Sequence, residues 1–279
     1  MNCRERCSRQ GLIVAYLTRM HGVKWFAPVL ITLFVSVLPM DIHAMTAQEI
    51  LQQVTKQNFN DNFRVAVTVK AFKGNKLISN HALWLIAKVN QGNSGFFVDF
   101  DEPKESKGLR FLFLEQAGQE RAAYMYLPAT GKTMPLAVDD PSVDVGGTGL
   151  TTEDLQGFIG KTEAGATVLK EEPLGGRECY VIRIPNPETK GERLLWVSKD
   201  GFLVVKNQQL DEKGKVLRTF MVTEFFKTEQ GKEFPREEEI TVPAKGIRIT
   251  VRQDNAVFGI EIPDGVTDPE KFGTFQWKG

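Results

Sequence analysis

Period-two alternation of apolar and polar side chains, repeated along most of the chain, restricts its fold more than any other feature. Phe63, Val65, Val67 and Val69 alternate with Arg64, Ala66, Thr68 and Lys70, and the pair Gly74-Asn75 precedes a second run over residues 76–89. Alternation at that period puts one set of side chains on each face of a half-buried strand, and a two-residue glycine link makes the pair an antiparallel hairpin. The pattern returns at residues 95–101, with Phe96, Val98 and Phe100 on one side, and at 108–115, with Leu109, Phe111 and Phe113 on one side. Tyr124 and Tyr126 mark a strand at 124–128, and the turn Ala129-Thr130-Gly131-Lys132 leads into another. Similar runs follow at 179–184, 194–198, 202–210, 216–226, 239–242, 247–253 and 256–260.

Two helical signals interrupt the strands. Thr46 and Glu49 have capping-box spacing, and Ala47, Ile50, Leu51 and Val54 share a helical face. A second signal lies near residues 152–160, where Thr151 and Asp154 can cap a short helix carrying Leu155, Phe158 and Ile159, with Gly160 to end it. The expected fold is therefore mainly β (α+β). A sheet this long curls, so an incomplete antiparallel β-barrel with helices covering its concave face is expected.

The first 44 residues differ from the rest. Residues 25–40 carry no charge, Arg19 and Lys24 precede them, and Ala44 offers a small residue for cleavage. That is the layout of a secretory signal peptide, with Met20 as a possible true start. Sixteen uncharged residues containing Pro28 and Pro39 fall short of the roughly 20 that a spanning helix needs. Residues 45–279 are then expected to form a single exported, monomeric domain.

Charge and rare residues exclude several chemistries. The chain has 35 basic and 35 acidic residues, and loss of the leader leaves 30 against 33, so nothing favours broad contact with nucleic-acid phosphates. Cys3, Cys7, His21 and His43 go with the leader, leaving Cys179 and His81. One of each cannot build a zinc site or an internal disulfide, and a histidine-based relay would have to run through His81, which reads as an ordinary strand residue. No metal, cofactor or catalytic residue is expected. The acidic run Glu237-Glu238-Glu239 reads as the solvated start of a strand. Gly131-Lys132-Thr133 lacks the earlier glycine of a phosphate loop, and Gly146, Gly147 and Gly149 lack both its lysine and the dinucleotide spacing. The three glycines read instead as a hinge beside a lid made of Leu150, Leu155, Phe158 and Ile159.

Pro103 with Gly108-Leu109-Arg110-Phe111-Leu112, Tyr126-Leu127-Pro128, and residues 147–155 ending in Glu153-Asp154-Leu155 resemble the LolA-like outer-membrane lipoprotein-sorting proteins. Glu178-Cys179-Tyr180, Leu195-Trp196-Val197 with Asp200, and residues 211–215 with Arg218 continue the likeness over most of residues 46–279. The resemblance implies a periplasmic half-barrel that holds lipoprotein acyl chains or another lipid. It also implies an inner-membrane transporter and an outer-membrane acceptor as partners, and a barrel arginine that holds the lid. Arg64, Arg110 and Arg121 are candidates for that arginine.

The physics of such a carrier is simple. About 0.8 kcal/mol per methylene makes a sixteen-carbon chain cost on the order of 12 kcal/mol in water. A diffusing carrier must therefore keep it in a covered apolar hollow. Phe63, Val65 and Val67, then Phe96, Val98 and Phe100, then Leu109, Phe111 and Phe113, and finally Tyr124 and Tyr126 are assigned to that hollow. Two other readings compete: a hydrolase running through His81, and a non-catalytic envelope scaffold whose interior is packed solid.

Overall fold

In the computed structural model, the described residues are 44–276 apart from 59–60, 91–92, 117–120, 137–142, 153, 155–163, 188 and 230. The expected leader up to His43 lies outside them. Residues Ala44–Gly279 form one compact unit.

The described residues open with helix α1 (Ala47–Asn58). Its start is the expected capping box: the Thr46 backbone N–H and hydroxyl donate to Glu49 Oε2 at 2.8 and 2.9 Å, and the Glu49 N–H donates back to Thr46 Oγ1 at 3.3 Å. Strands follow as β1 (Phe63–Lys73), β2 (Lys76–Asn90), β3 (Asn93–Glu102), β4 (Arg110–Gln116), β5 (Ala122–Leu127) and β6 (Lys132–Leu136). The second series is β7 (Thr167–Leu174), β8 (Arg177–Pro185), β9 (Glu192–Ser198), β10 (Val204–Leu210), β11 (Val216–Lys227), β12 (Glu233–Val242) and β13 (Ile247–Phe258).

These strands make one antiparallel sheet in the order β6-β5-β4-β3-β2-β1-β13-β12-β11-β10-β9-β8-β7. Each series is a meander of sequence neighbours, and the long-range pair β1–β13 joins them. The sheet is open rather than a barrel: β6 and β7 are its two edges and do not pair with each other. Both edges carry devices that discourage further pairing, with Pro135 in β6 and Lys170, Glu171, Glu172 and Pro173 in β7.

Register defines the two faces, because directly opposed residues point the same way. One face runs from Met125 through Phe111, Val98 and Leu85 to Val65. It continues from Ala71 through Ile249, Ile240, Phe220, Asn207 and Leu195 to Ile182. We call it the Phe111 face. Ala47, Ile50, Leu51 and Val54 of α1 pack there on Ile182, Ile184, Leu195 and Val197. Several covering helices were expected; α1 covers only the β8–β9 region of this face.

The opposite Phe97 face is covered by the C-terminal segment. Ile262, Val266 and Phe272 bury themselves against Ile86, Phe97 and Leu112. Arg110 secures this segment: Nη1 donates to the carbonyls of Phe272 and Gly273 at 3.1 and 2.8 Å, while Nε donates to Asp99 Oδ1 at 3.1 Å. Contact is closest at Gly273, where an added Cβ would stand 2.3 Å from Tyr126 Cδ2. The Gly273→Ala variant should therefore lose about 1–3 kcal/mol of stability, read as a lower urea midpoint with an unchanged slope.

Candidate functional site

Residues 143–152 cross the Phe111 face as a small closed loop. Val145 N–H donates to the Leu150 carbonyl at 2.8 Å and Thr152 N–H to the Val143 carbonyl at 3.0 Å. Thr148 Oγ1 donates to the Val145 carbonyl at 2.7 Å and accepts from the Leu150 N–H at 3.1 Å. Gly146, Gly147 and Gly149 all have left-handed φ, at 65°, 80° and 79°, which favours glycine at each. At Gly146 space demands it too, since a Cβ would lie 2.6 Å from Phe100 Cζ. The hinge glycines thus sit in a braced loop lying flat on the sheet, which presses Val145 and Leu150 into the core formed by Val67, Leu83, Val98, Phe111 and their neighbours. Of the expected lid residues, Leu150 is in this loop; Leu155, Phe158 and Ile159 lie outside the described residues.

The loop is clamped by Arg218. On β11, Arg218 has the parity of Phe220 and so points from the Phe111 face. Nε donates to Asp154 Oδ1 at 2.8 Å, Nη2 donates to Asp154 Oδ2, and Nη2 also reaches the Gly149 carbonyl at 3.1 Å. Asp154 Oδ2 accepts from the Thr151 N–H at 2.7 Å and hydroxyl at 3.0 Å, completing the cap read from the sequence. Both charged side chains are nearly buried, 12% and 10% exposed, so a bidentate pair here is far stronger than one on the surface.

This overturns the expected lid arginines. Arg64 and Arg110 have the parity of Ile86 and Asp99, on the Phe97 face. Arg64 stacks over Trp84, 4.2 Å from its ring centre, and Arg110 holds the C-terminal segment. Arg121 pairs with Glu115 at 3.1 Å.

Most of the residues assigned to the hollow do come together. Phe63, Val65, Val67, Phe96, Val98, Phe100, Phe111 and Phe113 form one buried cluster on the Phe111 face, with Leu109 packed against it. Tyr124 and Tyr126 are the exceptions. They stand opposite Leu112 and Arg110 in register, and they pack on the C-terminal segment with Phe97 and Phe272. Alternation within the short β5 puts the two tyrosines together; only pairing with β4 tells which side they take.

Beneath the loop is a cavity of ≈ 50 Å³, walled by Val67, Leu83, Leu85, Phe220, Ile240 and Val251 and roofed by Val145, Thr148, Leu150 and Asp154. That is room for about four waters. Two polar side chains share the wall. Glu238 and Gln253 are 1% and 3% exposed, and Gln253 Nε2 donates to Glu238 Oε1 at 3.1 Å. Burial, reinforced by the nearby Asp154 charge and opposed by the Gln253 bond, pushes the Glu238 carboxyl up to about 8. The acidic run is therefore only partly solvated: the Glu237 and Glu239 side chains are 39% exposed, whereas Glu238 is buried. The run sits inside β12, where Glu238 opposes Val222 and Val251. His81 is buried nearby on the same face, edge-on to Phe100 at 5.7 Å between ring centres.

A wider cleft of ≈ 540 Å³ lies on the other side of the sheet, with Arg64, Asp99, Asp101, Lys107 and Arg110 among its walls. Charges at that density hold water, so an acyl chain would not be kept dry there. Among the described residues no group of three or more His, Cys, Asp or Glu is placed to hold a metal ion, and no helix is long and apolar enough to cross a membrane.

A family model described as an uncharacterized protein matches residues 92–272. No curated protein matches the chain. Among solved structures it is similar to a DUF1329-family protein from Desulfovibrio piger, at 16% identity and a TM-score of 0.72, over 80% of this chain and 95% of that one. An outer-membrane lipoprotein-sorting protein domain from Vibrio parahaemolyticus gives 17% and 0.72, over 81% and 97%. A LolA-superfamily protein from Nitrosomonas europaea gives 19% and 0.60, over 81% and 98%. At these identities the likeness is one of fold.

Proposed function

The chain belongs to the family of uncharacterized proteins matched over residues 92–272, and from its LolA-like fold and its covered apolar face we propose that it is an exported, non-catalytic lipid carrier. In this reading residues 1–44 are removed, and the domain works in the periplasm, ferrying lipoprotein acyl chains or another lipid toward the outer membrane. An inner-membrane source and an outer-membrane acceptor would be its partners.

The supporting observation is the way the Phe111 face is closed. A large aromatic and aliphatic surface is roofed near its middle by a short self-bonded loop, and that loop is anchored through one Arg218–Asp154 pair. The cavity under the closed loop is too small for an acyl chain, which needs a pocket of several hundred Å³. The loop, with Leu150 at its end and the glycines within it, must lift for cargo to enter. A solid core needs no roof that is released through one ion pair. The test is mass spectrometry of organic extracts from protein purified out of the periplasm: acyl lipids should co-purify near one equivalent. Extracts free of lipid, from protein that also fails to take up added phospholipid, would favour the scaffold reading.

A further inference from the structure

We propose that Glu238 and Gln253 are the polar anchor of this cavity, hydrogen-bonding the carbonyl of an ester- or amide-linked acyl chain. This rests on the carrier reading and adds the chemical class of the cargo's linkage. Both side chains come from the sheet, on the adjacent strands β12 and β13, so they are held rigidly under the loop. Their neighbours in the wall are Val67, Leu83, Leu85, Phe220, Ile240 and Val251. A hollow serving only hydrocarbon would gain by having leucine at both places, because each buried polar group loses its hydration.

Hydrogen-bond capacity points to the partner. Among the described residues, the Glu238 and Gln253 side chains bond only each other, through Gln253 Nε2 and Glu238 Oε1. A neutral carboxyl retains one O–H donor, and the glutamine retains its carbonyl acceptor. An ester carbonyl accepts from the first. An amide satisfies both, its carbonyl taking the Glu238 O–H and its N–H donating to Gln253. A free carboxylate suits neither, since Asp154 also borders the cavity and Arg218 is already committed to Asp154 and the Gly149 carbonyl.

The experiment is displacement of the neutral dye N-phenyl-1-naphthylamine from the purified protein by methyl palmitate, N-methylpalmitamide and heptadecane. The ester and amide should displace it at concentrations about tenfold lower than the hydrocarbon, the worth of one buried hydrogen bond. Glu238→Leu should shrink the preference for both ester and amide to under about threefold, and Gln253→Leu that for the amide, while heptadecane binding stays intact. Glu238→Gln, which keeps a donor, should retain it. The same preference in wild type and both leucine variants overturns the anchor alone. Failure of every compound to displace the dye from wild type overturns the carrier reading as well.

Discussion

Replacing Arg218 by leucine should cost the fold about 3–5 kcal/mol, because Asp154 is then left nearly buried without its counter-charge. The loss should appear as a lower denaturation midpoint in urea. It should be accompanied by faster proteolytic nicking within residues 143–152, which lose the bond from Arg218 to the Gly149 carbonyl. A double-mutant cycle isolates the pair from general damage. Asp154→Asn in the Arg218→Leu background removes the stranded charge and should recover part of the stability, whereas the same change alone should destabilise. Additive losses would mean that the clamp holds nothing.

The second large effect concerns Glu238 and pH. In the unfolded chain its carboxyl ionises near the ordinary 4.5, and in the folded protein it keeps its proton to about 8. Between those values the folded state binds the extra proton, so raising the pH favours unfolding. The favourable contribution is complete below pH 4.5, falls by about 3 kcal/mol by pH 7 and levels off above pH 8. The groups facing Glu238 are Gln253 from β13 and Asp154 from the roof. Glu238→Gln removes the titration. The stability of wild type minus that of the glutamine variant, from urea curves at pH 5, 7 and 9, should decline with pH. A flat difference would mean that the carboxyl is not buried as described.

The sheet was legible because alternation survives wherever one face is buried and the other is wet. β1 shows it best: Phe63, Val65, Val67, Val69 and Ala71 are buried in strict succession. Where both faces carry polar groups the signal vanishes, which is why β7, with Lys170, Glu171 and Glu172 in sequence, gave no strand signal. β13 reads as two strands because Asn255, at φ 55°, inserts a kink into one continuous run. The site was less legible, since its polar members break the pattern that reveals the sheet. Glu238 lies two residues before Ile240, and Arg218 two before Phe220, so parity alone would have placed both on the apolar face. Composition pulled the other way, because three glutamates together look like a wet surface. The lone arginine in the apolar set Val216, Phe220 and Val222 was the signal that could have named the clamp, and it was passed over for Arg64, Arg110 and Arg121.

Hydrogen exchange through residues 145–150 bears most directly on whether the roof moves for cargo. The protein is compared stripped of lipid and loaded with phospholipid. In the stripped form the Val145, Thr148 and Leu150 amides are bonded within the loop and should exchange slowly. Filling a space that holds about four waters with an acyl chain should lift the loop from Arg218 and speed them at least tenfold. Identical exchange in the two samples, with lipid demonstrably bound, would contradict a loop that opens to admit it.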